Sequence, residues 1–167
     1  AAQRARARSG ALFARRAFDD VDVVGDRRIE RQRQHGEALA RALEILARFR
    51  GTPYAGSAQR DRMAMLLEGP ALPAARGHDI TSDGTLMGSV QVPPSGRPIV
   101  LMADRQTTGG FPKIATVITP DLGRLAQLPT GAMLRFHALS VGAAEAAARA
   151  AARQSAEALA DLAPTGA

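Results

Sequence analysis

Between residues 88 and 118 the chain concentrates side chains suited to work on a carbonyl group. Gln91 stands at the end of an apolar run, just before the turn sequence Pro93-Pro94-Ser95-Gly96, where its amide offers two donors and an acceptor. Such an amide suits ureido, lactam and carboxamide groups. Asp104 follows the next apolar run, and Thr107-Thr108-Gly109-Gly110 can form a tight turn whose backbone N–H groups converge on an anion or a carbonyl oxygen. The same residues equally suit a plain hairpin turn capped by Asp104. Lys113 is the only lysine among the chain's 22 basic residues, which suits a position that needs a compact ammonium but equally suits a strand-edge surface. Arg62 and Arg105 can bind a carboxylate or a carboxyphosphate-like group, or form ordinary surface ion pairs. Asp104 and Lys113 are expected to face each other across a hairpin mouth, with Gln91 on a neighbouring strand.

Composition and motif searches exclude other chemistries. The chain has 167 residues, 46% hydrophobic and 23% charged, enough for one buried core. It has no cysteine, and therefore no thiolate nucleophile, zinc–thiolate site, iron–sulfur ligand or disulfide. No phosphate-binding loop, dinucleotide-binding glycine turn, nucleophile elbow or His-Glu-x-x-His pair occurs, so no cofactor is expected to bind through the chain's own motifs. His35, His78 and His137 lie far apart in three contexts, and no metal site is expected from them. The net charge of +6 falls wholly within residues 1–62, with Phe13, Phe18, Phe49 and Tyr54 as the interleaved aromatics. That pattern does not suit nucleic acid. No apolar run approaches the roughly 20 residues of a membrane span, and the first residues lack a secretory apolar stretch. The expected location is the cytoplasm.

The elements that must position these residues change character near residue 58. Residues 28–50 carry Leu39, Leu43, Leu46 and Phe49 at helical spacing, and Gly51-Thr52-Pro53 stops the helix. Ahead of it, residues 21–24 suit a short strand and residues 1–16 an Arg-rich tail. From Gln59 onward, β-type runs at 65–67, 86–92, 98–103, 113–118 and 132–139 alternate with Gly and Pro turns. Thr119-Pro120-Asp121 opens a short helix to about residue 128, with the Thr119 hydroxyl as cap. An alanine-rich helix begins at Val141 and runs to about Leu162. The expected architecture is mainly β: an antiparallel β-barrel over residues 59–140, an N-terminal amphipathic helix making few contacts with it, and a C-terminal segment over 141–167. Met65, Leu67 and Leu86 are expected to expose apolar surface through which the chain self-associates or binds a companion subunit.

Several linked pieces carry a family resemblance: Asp61-Arg62-Met63, Leu67-Glu68-Gly69-Pro70, Gln91-Val92-Pro93-Pro94, Asp104, the run from Thr107 to Pro112, Ile114-Ala115-Thr116-Val117-Ile118, Asp121-Leu122 and Arg135-Phe136. In order and spacing they resemble the C-terminal part of the biotin-dependent carboxyltransferase family, which includes the C component of 5-oxoprolinase and the second subunit of allophanate hydrolase. The resemblance spans about 80 residues. Ala64 stands where the family usually has Gly, and Phe111 where relatives often have Tyr. Family members are roughly double this length, so the chain resembles one of two cyclophilin-like β-barrel halves. Residues 1–58 match no recognised part of the family; a truncated gene, or a front end read in a shifted frame, would explain that, and native sequence is the open alternative.

The resemblance implies a fragment or subunit of an amide- or lactam-directed enzyme, foremost ATP-dependent 5-oxoproline hydrolysis with companion subunits. The alternatives are a carboxyltransferase domain of a urea carboxylase or allophanate system, and a non-catalytic regulatory interaction domain. Together with the residue chemistry it marks Asp104, Lys113 and Thr108 as catalytic, and Arg62, Gln91, Thr107, Gly109 and Gly110 as substrate-binding. ATP or carboxybiotin would be handled through the whole complex.

Overall fold

A computed structural model describes residues 19–25, 36–73 and 81–162. The Arg-rich tail, His35 and His78 lie outside the described residues. The elements in chain order are β1 (Asp19–Gly25), α1 (Gly36–Gly51), β2 (Tyr54–Arg60), β3 (Ala64–Glu68), β4 (Asp83–Gly84), β5 (Ser89–Gln91) and β6 (Ile99–Leu101). They continue with β7 (Thr108–Gly109), β8 (Lys113–Val117), α2 (Thr119–Ala126), β9 (Met133–Ala138) and α3 (Val141–Ala160).

Seven strands close a barrel in the order β1-β8-β5-β6-β3-β2-β9, while β4 and β7 pair separately as a short ribbon. Closure depends on β1, which runs antiparallel to β8 with Val23 opposite Val117 and parallel to β9 with Val21 opposite Phe136. The barrel is therefore mixed rather than wholly antiparallel. It also begins before residue 59: the boundary placed at residue 58 falls inside β2, which pairs with β3 and β9. Strand β2 is hard to read because Tyr-Ala-Gly-Ser-Ala-Gln-Arg has one strong β-former, and its pairing partners rather than its propensity hold it extended.

Helix α1 is part of the core. Phe49 is fully buried, its ring 4.3 Å from that of Phe136 and 5.5 Å from that of Tyr54, and Ile45 joins the same cluster one turn earlier. The expectation of few contacts between this helix and the barrel is thus corrected: the buried edge runs through Ile45 and Phe49, whereas Leu43 is exposed. Aromatic stacking of this kind adds to the area term of burial. Met65 and Leu67 also lie in the core rather than on a partner-facing surface, and of the three apolar residues expected there only Leu86 is exposed.

Helix α2 starts as the Pro120 signal predicts, but Ile118 occupies the cap position and no side chain caps it, so the Thr119 hydroxyl cap is not formed. Helix α3 has its own cap, the Ser140 hydroxyl accepting the Ala143 N–H at 3.2 Å. No helix among the described residues is long and apolar enough to cross a membrane.

Candidate functional site

Strand β5 lies between β6 and β8, so residues 98–103 and 113–118 are not hairpin neighbours. Val90 pairs with Val100 and Ala115 within the core cluster. Alternation along the strand sends Gln91 to the opposite face, yet Gln91 is only 2% exposed. The β4–β7 ribbon accounts for this burial: a side chain added at Gly109 of β7 would place its Cβ 2.7 Å from the Gln91 amide nitrogen. Gly109 therefore leaves room for the amide.

A β-bulge sets the second functional group. Ser89 and Val90 pair in step with Thr116 and Ala115, but Gln91 pairs with Lys113, skipping Ile114. The extra residue turns Lys113 onto the face of Gln91, an example of a bulge re-aiming a side chain. The Lys113 side chain is 10% exposed, and its ammonium lies 3.4 Å from the Asp83 carboxylate on β4. Asp83 in turn pairs with Gly109. Asp83, Gly109, Gln91 and Lys113 thus form a closed ring of neighbours between the ribbon and the barrel wall.

Two donors in this ring lack hydrogen-bond acceptors. Both the Gln91 Nε2 and the Lys113 Nζ are buried with no hydrogen-bond partner. Leaving a buried donor unsatisfied costs about 1–3 kcal/mol, so the Gln91 amide, and the N–H groups that the Lys113 ammonium has to spare beside its ion pair with Asp83, are candidates to meet an oxygen acceptor.

The remaining predicted residues divide differently. Asp104 does not face Lys113: it pairs with Arg62 through two contacts, 2.5 Å from Nε and 3.0 Å from Nη2, and its N–H donates to the Arg62 carbonyl at 2.8 Å. The guanidinium hydrogen bond holds the Asp104 carboxyl below the usual carboxylate range, and the same bond raises Arg62. Arg62 is 81% exposed and Asp104 48%, so this is a solvated surface pair. Thr107 and Thr108 are exposed. The expected tight turn is replaced by strand pairing, Gly84 opposite Thr108 and Asp83 opposite Gly109, and neither Gly109 nor Gly110 has a positive φ. The converging N–H groups predicted for that turn are thus not set up by a left-handed glycine. Arg105 donates from Nη1 to the Ala103 carbonyl at 3.3 Å, as a local contact of the loop.

Asp83 escaped the sequence reading because Ser82-Asp83-Gly84 looks like a turn; the available signal was that a lone buried lysine needs a counter-charge. Among the described residues no group of three His, Asp or Glu side chains is placed to hold a metal ion.

The chain belongs to the family described as carboxyltransferase domain, subdomain A and B, which matches residues 33–138. That match takes in α1 and β2, so residues 33–58 belong with the family rather than standing outside it. Within the family the chain is 52% identical over 81 residues to the C component of 5-oxoprolinase from Haemophilus influenzae, covering 48% of this chain and 26% of the relative. It is 46% identical over 88 residues to the corresponding 5-oxoprolinase component of Escherichia coli, covering 53% of this chain and 28% of the relative. The chain thus spans about a quarter of the length of these relatives. The crystal structure of Kluyveromyces lactis urea carboxylase shares the fold, with a TM-score of 0.65 at 19% identity over 79% of this chain and 12% of that one.

Proposed function

We propose that this chain forms part of a cytoplasmic 5-oxoprolinase-type hydrolase, acting with companion subunits on a lactam such as 5-oxoproline and drawing on ATP through the assembled complex. The observation that carries this reading is the pair of unsatisfied buried donors, Gln91 Nε2 and Lys113 Nζ, on cross-strand neighbours. A lactam carbonyl oxygen accepts from both. The oxygen gains negative charge when the ring carbon is attacked, and a fixed ammonium and amide meet that charge without reorganising. Identity to proteins named as the C component of 5-oxoprolinase supports the choice of substrate class.

The same donors suit the carbonyl of a ureido group, and the fold shared with a urea carboxylase supports a second reading, carboxyl transfer to a urea-type substrate with carboxybiotin supplied by the complex. On that reading Gln91 and Lys113 would hold the ureido oxygen, and the cofactor would supply the carboxyl group.

Gln91→Leu and Lys113→Met in the enzyme assembled with its companion subunits test the proposal. Removing the Gln91 amide also removes an unsatisfied buried donor, so the thermal midpoint should hold or rise while turnover of 5-oxoproline falls at least about 100-fold, ~2.7 kcal/mol of transition-state stabilisation. Full turnover in both variants would refute the site. Turnover with urea but not with 5-oxoproline would favour the second reading.

A further inference from the structure

The ribbon carries an acidic residue that neither the motif nor the family resemblance singled out. Asp83 lies on β4, held against β7 by its pairing with Gly109 and by the flanking hydrogen bond from Thr85 N–H to the Thr107 carbonyl at 2.9 Å. The Thr85 hydroxyl also donates to the Gln106 carbonyl. The ribbon is therefore tied along its length, and its acid projects to the Lys113 ammonium at 3.4 Å. Lys113 stands on the opposite wall, turned there by the bulge at Ile114. A lysine has four rotatable side-chain bonds and three donors, so burial alone does not aim its ammonium.

We propose that Asp83 is a positioning residue of the Gln91–Lys113 site: its carboxylate fixes the Lys113 ammonium beside the Gln91 amide, so that both donors meet one acceptor oxygen. The role rests on the reading of that site as an amide-carbonyl site. Three constraints make the assignment. The cross-strand pairing of Gln91 with Lys113 puts the two donors on one face. The pairing of Asp83 with Gly109 puts the acid on the strand that also covers the Gln91 amide. The Lys113 side chain is almost closed off from water, where an ion partner is screened far less than on the surface. With Asp83 removed, the ammonium would turn toward solvent and leave Gln91 as a single, weaker donor.

Because Lys113 is the chain's only lysine, its tether can be read directly. Acetylation of the full chain by an amine-reactive ester, followed by mass spectrometry of the Lys113 peptide, gives the labelling rate of this one side chain. Asp83→Asn should raise that rate about fivefold or more, Asp83→Glu should return it to within about twofold of wild type, and Asp161→Asn at the far end of α3 should leave it unchanged. Backbone amide exchange of β5 and β8 should stay at wild-type rates in the same samples. A wild-type labelling rate in Asp83→Asn overturns the proposal, as does faster labelling accompanied by faster exchange of both strands, which would make the role structural. If Asp83→Asn does not fold, a wild-type labelling rate in Asp83→Ser, which also lacks the carboxylate, overturns it equally.

In the assembled enzyme, Asp83→Asn should lower kcat about tenfold with KM changing less, and Asp83→Glu should restore most of the loss. Loss of turnover in Lys113→Met with none in Asp83→Asn sinks the positioning role and leaves the site standing. Unchanged turnover in both sinks the site itself.

Discussion

Gly109 is a glycine for a reason of space: its φ is not positive, and the atom that a side chain would strike is the Gln91 amide nitrogen, 2.7 Å from the added Cβ. That nitrogen is the far end of a flexible side chain, so Gly109→Ala should shift the amide rather than the fold. Turnover should fall about tenfold, while the thermal midpoint moves by no more than the few degrees that about 1 kcal/mol produces in a domain of this size. A matching loss of stability would instead place Gly109 among the folding determinants. The surface pair responds to acid with a defined sign. Asp104 has a folded-state value lowered by Arg62, so its contribution is complete above the ordinary carboxylate value near ~3.9 and is lost only as pH falls through the depressed folded value. A carboxyl NMR titration of Asp104 should give a midpoint below those of exposed acids, returning to the ordinary range in Arg62→Ala. Gln91 and Lys113 were legible in the sequence because an amide before a Pro-Pro turn and a solitary lysine stand out from their surroundings. Asp83 was not, since its partner lies across a ribbon that only the folded chain brings together, and Asp104 was assigned to the wrong cation because β5 intervenes where a hairpin was expected.

The α1 helix shows how an element can be recognised in sequence while its place in the fold is missed. Periodicity gave the helix and the Gly51-Thr52-Pro53 stop, but not that Phe49 would stack on Phe136 of β9. Phe49→Ala should cost about 3–5 kcal/mol of stability by chemical denaturation, the range for emptying a buried aromatic site. A loss under about 1 kcal/mol would show the helix to be an appendage. The neighbouring Tyr54 is fully buried, and its burial pushes the phenol up to about 12 against the opposing pull of Arg48. It is the only tyrosine, and the chain has no tryptophan, so absorbance of the phenolate reports it alone. The folded value is raised, so this group's stabilising contribution is full below the unfolded value near ~10 and is lost as pH rises toward about 12. Titration in the folded chain should show little phenolate at the pH where the denatured chain is half ionised. The run from Gln59 to Leu139 was legible as strands because Gly and Pro punctuate it. Strands β1 and β2 were not assigned to the barrel, since their pairing with β9 is set by long-range closure and by no local signal.

At the scale of the whole molecule, closure through β1 removes the free edges that β8 and β9 would otherwise present, and leaves the outer face of β5 and β8 as the surface that the ribbon covers. The fold thereby does two separate things with adjacent residues of one strand: Val90 fills the core, and Gln91 faces the ribbon. The family match over residues 33–138 takes in α1 and β2 together with the later strands up to β9, and does not begin at the change of texture at residue 58. The central claim is that the paired donors of Gln91 and Lys113 receive a lactam carbonyl. Its most direct test is an NMR titration of the Gln91 side-chain amide with 5-oxoproline, up to about 10 mM to reach weak affinities. The account predicts a saturable shift of both Gln91 amide protons in the wild-type chain that is lost in Lys113→Met. Resonances that stay fixed throughout the titration, in a folded chain, would contradict it.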